Sequence, residues 1–135
     1  MDMSRSDVAT PKSSVLSYRL ANSHWTDVAK IRAEAQRLTT LIGNGSMTKV
    51  QAAQHLNRYR LQLVGSNGVD DSVYEVYQYA AVESQRGSMT SAQARAYLEN
   101  ALKGWQQRWS SMQQKPANPA FTNFLLETMG MQHLQ

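Results

Sequence analysis

The sequence predicts an all-α protein: tandem helical hairpins forming a four-helix arrangement, plus a short C-terminal helix. Three observations carry that expectation. The segment Gly45-Ser46-Met47-Thr48-Lys49-Val50-Gln51-Ala52 recurs 42 positions later as Gly87-Ser88-Met89-Thr90-Ser91-Ala92-Gln93-Ala94, with six of eight residues unchanged. Apolar residues on both sides of each copy step by three and four, which is one face of a helix. No β-branched run alternates apolar with polar residues, as a half-buried strand requires.

Residues 1–22 read as a flexible leader, rich in Ser and Thr, interrupted by Pro11 and without sustained periodicity. Residues 23–135 then form a single helical domain, with hairpin 1 over about 26–64, hairpin 2 over about 70–113 and the C-terminal helix over about 118–130. The first helix is marked by Val28, Ile31, Ala35, Leu38 and Ile42, with Asp27 in its first turn, where the macrodipole favours an acid. Each repeated segment then supplies a corner. Gly45 and Gly87 suit the left-handed backbone that ends a helix, and Thr48 and Thr90, three residues on, suit the N-cap of the next. Gln51 and Gln93 complete a capping box, and Met47 and Met89 stand where a hydrophobic staple reaches Ala52 and Ala94.

The helix after the first corner shows Ala52, Leu56, Tyr59 and Leu63, and the one after the second shows Ala94, Leu98, Ala101 and Trp105 with the same steps, continuing through Trp109 and Met112. Between the hairpins, Gly65-Ser66-Asn67-Gly68 reverses the chain, and Asp70 or Asp71 is expected to cap a third helix carrying Val73, Val76, Tyr77 and Ala80. For the last helix, Asn118 is the expected cap, Pro119 the first turn, and Gly130 the stop; Phe121, Phe124, Leu125 and Met129 form its stripe. We expect this helix to lie across the other four.

Composition narrows function mainly by exclusion. A chain of 135 residues, 41% of them apolar, is long enough for one packed core. With no cysteine there is no thiol catalysis, redox pair or zinc knuckle. The net charge of +4 is spread as +2 over residues 1–42, 0 over 43–86 and +2 over 87–135, so no basic block forms and nucleic acid is disfavoured as a partner. No stretch approaches the roughly 18 consecutive apolar residues of a membrane span.

Chemistry-bearing patterns are thin. There is no GxSxG elbow, no GxGxxG or Walker cradle, and His24, His55 and His133 stand in no ligand spacing. Asp70-Asp71 is explained as a helix start, Glu75 and Glu83 lack the histidines of a di-iron bundle, and the Gly65–Asp71 loop fails the DxDxDG order of a calcium site. We therefore expect no enzyme, no catalytic residue, no metal site and no cofactor.

Two binding expectations follow. The first is a helical module that binds another protein, from a surplus of large amphipathic side chains: Tyr74, Tyr79, Trp105, Trp109, Phe121 and Phe124 are the interface candidates. Duplicated hairpins are also compatible with a two-fold homodimer. Met1 and Met3 lie so close that Met1 reads as an added start. The leader is then expected to be the tether of a bacterial lipoprotein-like or secreted adaptor, periplasmic or held at the envelope, a setting that the Ser- and Gln-rich, Lys-poor polarity also favours. The second expectation comes from Thr48 to Leu61, fourteen residues in which Ala52-Ala53, Leu56 and Arg58 resemble the helix-turn-helix tail of the Fis and nitrogen-regulator DNA-binding families. The resemblance implies a DNA-binding protein with Lys49, Gln54 and Arg58 as contact residues. The chain departs from the family pattern where it needs a glycine turn between Leu and Arg, because Leu56-Asn57-Arg58 runs on as helix.

Overall fold

The computed structural model describes residues 18–135 as five helices: α1 (His24–Gly43), α2 (Lys49–Leu63), α3 (Gly68–Arg86), α4 (Ser91–Trp109) and α5 (Ala120–Thr128). No strand occurs among the described residues. Four long helices and a short C-terminal one are what the apolar spacing predicts. The leader's residues 1–17 lie outside the described residues; its last part does not. Tyr18 donates its hydroxyl to the Pro116 carbonyl at 2.8 Å, and the Ala21 N–H donates to the Ala117 carbonyl at 2.8 Å.

The two corners are built alike. Gly45 and Gly87 hold φ of +81° and +83°, a backbone that glycine alone adopts without strain. In the first corner the Gly45 and Ser46 N–H groups donate to the Ile42 and Leu41 carbonyls; in the second, Gly87 and Ser88 donate to Ser84 and Glu83. These are the paired bonds that close a helix C-terminus. The Gln51 N–H then donates to Thr48 Oγ1 at 3.1 Å and the Thr48 N–H to Gln51 Oε1 at 2.9 Å, with the same two distances for Gln93 and Thr90.

In packing, α1 meets α2, α2 meets α3, α3 meets α4, and α5 meets both α1 and α3. Thus α1, α2, α3 and α5 surround one core, α4 flanks α3, and α1 and α4 have no extensive contact. The short helix is deeper than expected. Every residue from Ala120 to Leu126 is buried, so α5 lies inside the arrangement and not across its outside. Its sequence, Ala-Phe-Thr-Asn-Phe-Leu-Leu, has apolar residues all round and suits such a place, provided that Thr122 and Asn123 find partners.

Those partners alter two of the expected caps. Asn67, and neither aspartate, caps α3 by accepting from the Asp70 N–H at 2.9 Å. Asp70 instead turns inward and accepts from the Phe121 and Thr122 N–H groups and from Thr122 Oγ1, so it closes the N-terminus of α5 from another helix. Asn118, the cap expected for α5, is drawn away to His24 and Asp27. Gly130, at φ +69°, ends α5 as predicted.

Candidate functional site

The outward face of the α3–α4 hairpin carries two exposed aromatics side by side. Ala80 is buried on the inner side of α3, which leaves its neighbour Tyr79 pointing out; Leu98 does the same for Tyr97 on α4. Because the second corner folds the helices back on each other, the two rings meet with centroids 5.2 Å apart, while each side chain stays exposed, at 47% and 42%. Tyr97 was not among the expected interface residues. Its signal is a large aromatic one step off the buried stripe of its helix, which becomes meaningful only once Tyr79 is known to lie beside it.

The other expected interface residues are dispersed. Phe121, Phe124, Tyr74 and Trp109 belong to the chain's own core, which accounts for them without a partner. Phe121 takes the edges of Tyr74 and Tyr77, and Trp109 donates its indole N–H to the Gln135 carbonyl at 3.1 Å and stacks edge-on with Tyr18. Trp105 is half-buried, with the Arg108 guanidinium 3.9 Å above its ring. Trp25, which the sequence did not single out, is 43% exposed and stands between the rings of His24 and His133.

The DNA-contact candidates all lie on α2. Gln54 and Arg58 are exposed, and Lys49 donates to Ser84 Oγ at 2.9 Å. The helix runs unbroken from Lys49 to Leu63, so the turn that would present a recognition helix is absent.

The buried polar groups form the second distinctive feature. Asn123 Oδ1 accepts from the Leu134 N–H, and its amide donates to the Leu134 carbonyl and to His24 Nε2. With Nε2 an acceptor, the proton of His24 must sit on Nδ1, where it is given to Asn118 Oδ1 at 2.7 Å; Asn118 in turn donates to Asp27. His24 is thus held neutral, and burial lowers its pKa although Asn118, Asp70 and Asp27 favour the proton. Burial pushes the Asp70 carboxyl up, against the pull of its donors Thr122, Asn67 and Phe121.

Arg60, only 3% exposed, donates to Asn57 and Asp71 and lies 5.6 Å from both the Tyr74 and Phe121 rings. Asp71 is held below the usual carboxylate range: burial works against ionisation, but Ser66 and Arg60 outweigh it. His55 pairs with Glu34 at 2.9 Å. Each of these imidazoles and carboxylates is engaged in holding helices together. Among the described residues no three His, Cys, Asp or Glu converge as a metal site. Comparison with protein-family models, with curated proteins and with solved structures finds no match to this chain.

Proposed function

We propose that the chain is a non-enzymatic helical module that binds another protein, and that the α3–α4 face is its contact surface. One observation carries this: Tyr79 and Tyr97 lie ring to ring in the open, each more than two-fifths exposed. Tyrosine offers a large rigid ring with a polar tip at low entropic cost, which is why it recurs at the centres of interfaces. A second copy of the chain is one such partner. The setting we propose is the bacterial envelope or the exterior, with the leader as tether; its support is the composition of that segment and the Ser- and Gln-rich, Lys-poor polarity of the chain.

The test is affinity capture from the source cell with the full chain, a Tyr79→Ser/Tyr97→Ser bait and a Trp25→Ser bait, all with matched circular dichroism. The expected result is a protein retained by the full chain and Trp25→Ser and lost with the double variant. Identical capture by all three baits would remove the α3–α4 face from the proposal. Sedimentation of the purified chain and the double variant separates a homodimer from a foreign partner.

A further inference from the structure

Where α1 and α4 lack an extensive contact, a slot crosses the bundle. Its larger chamber, about 590 Å³, lies between α1, α2 and α5; a smaller one, about 270 Å³, continues it toward the two corners. Ile42, Ala52, Tyr77 and Leu98 line both chambers, so the two adjoin. The floor consists of Leu38, Leu56, Leu98, Phe124 and Leu125, which are all buried despite facing the slot. Its rim, with Ala35, Thr39, Ile42 and Met129, is partly buried or exposed. The larger chamber does fall within the roughly 300–1,000 Å³ of small-molecule sites.

The two ends of the slot differ in charge. At the far end Arg32 and Glu127 neutralise each other at 2.6 Å. In the smaller chamber Lys49 of α2 and Arg95 of α4 both face the space, and among the described residues neither pairs with a carboxylate. Tyr77 stands at the junction. Its ring packs edge-on to Phe121, and its hydroxyl has no hydrogen-bond partner among the described residues. Burial raises the pKa of this hydroxyl, so it remains a donor. Arg32 at the far end and Ile42 at the junction are ten residues apart on α1, so the larger chamber is about 15 Å long at the helical rise.

An apolar groove with a neutral pair at one end and two cations and a hydroxyl at the other is complementary to a slender chain with one anionic head. We propose that the slot binds a single medium-chain fatty acid, its carboxylate held by Lys49, Arg95 and Tyr77 and its acyl chain laid along Ala35, Thr39, Ile42 and Met129, above that floor. This site is separate from the Tyr79–Tyr97 face, and either can fail without the other.

The test is calorimetric titration of the full chain with laurate, with dodecanol as the uncharged ligand of equal length. The variants are Lys49→Gln/Arg95→Gln, Ala35→Phe in the larger chamber, and Arg58→Gln as a control on α2 outside the slot. The expected result is saturable one-to-one laurate binding that the double variant weakens by about tenfold or more, the loss of charge-assisted bonds to the head. Dodecanol binding should stay unchanged in the double variant, Ala35→Phe should abolish binding of both ligands, and Arg58→Gln should alter neither. Lys49 and Arg95 are exposed, so their replacement leaves the fold intact even if Ala35→Phe does not. Absence of saturable laurate binding overturns the proposal, as does laurate binding indifferent to the double variant or equally weakened by Arg58→Gln.

Discussion

The two ends of the bundle are held by different kinds of bond. At the end with the twin corners, the caps close within three to five residues of chain, through Thr48 with Gln51, Thr90 with Gln93, and the two glycines with the turns before them. Only a few links, such as Lys49 to Ser84 and the Val50 N–H to Gln85, join one corner to the other. At the opposite end the bonds span the chain: His24 reaches Asn123 across 99 positions, Asp70 reaches Thr122 across 52, and Asn118 reaches Asp27 across 91. A corner that caps itself needs little from its neighbours, so α1 and α4 can stay apart there and leave a slot. The other end buries its polar groups, and each must be satisfied by a particular distant partner.

The largest effect is therefore expected from breaking the distant circuit. Asn123→Ala removes the bonds to His24 and to both backbone groups of Leu134 and leaves their buried partners unsatisfied. At about 1–3 kcal/mol for each group so stranded, partly relieved by water, the loss should be about 3–5 kcal/mol of unfolding free energy, measured by urea denaturation. A loss below about 1 kcal/mol would mean that the circuit adds little to stability.

Acid attacks the same circuit more gently. His24 is neutral in the fold with its pKa below the ordinary value near 6.5, so the unfolded chain takes up the proton first. Its contribution is complete above about pH 6.5 and is lost as pH falls from there through its lower folded pKa. Asp70 has the opposite sign: its raised pKa lets the fold hold a proton that the unfolded chain has released, so it adds stability as pH falls. Denaturation midpoints of the unaltered chain should decline from pH 7.5 to 5.5, and those of His24→Gln should stay flat or rise. A parallel decline in both would assign the pH dependence to other groups.

This division also explains what was legible in the sequence. The corners could be read because their bonds join residues three to five apart, and the types required at those spacings, Gly, Thr and Gln, appear in order. The same local logic found the stop at Gly130. It failed for Asp70 and Asn118, which local rules make into caps, because a buried acceptor on α3 competes for the N-terminus of α5 and His24 competes for Asn118. The depth of α5 was partly written in its all-round apolar sequence, but which helices enclose it depends on pairings that no spacing reveals. Tyr97 and the slot were illegible for the same reason: one needs Tyr79 across a hairpin, and the other needs the lack of an extensive α1–α4 contact.

The corners should respond modestly and alike. Thr48→Ala and Thr90→Ala each remove an N-cap acceptor, a loss of about 1 kcal/mol. Because the two capping boxes have the same distances, the losses should agree within about 0.5 kcal/mol, and the double variant should equal their sum. A cost at Thr48 much above that at Thr90 would show that Met47, which packs on the core, couples the first corner to the interior.

The smallest effect is expected in the slot itself. In a filled core, Ala35→Phe would cost about 1–3 kcal/mol in strain, because added methylenes must displace their neighbours. Ala35 is only partly buried and lines a chamber of about 590 Å³, so the ring has room to enter without moving α2 or α5. The stability change should stay within about 0.5 kcal/mol, and the added apolar burial tends to make it favourable. The same substitution therefore separates two accounts of the gap. A destabilised Ala35→Phe would mean that the α1–α4 seam closes in solution, whereas an unchanged one means that the chain keeps an open apolar channel at the end where its local caps allow one.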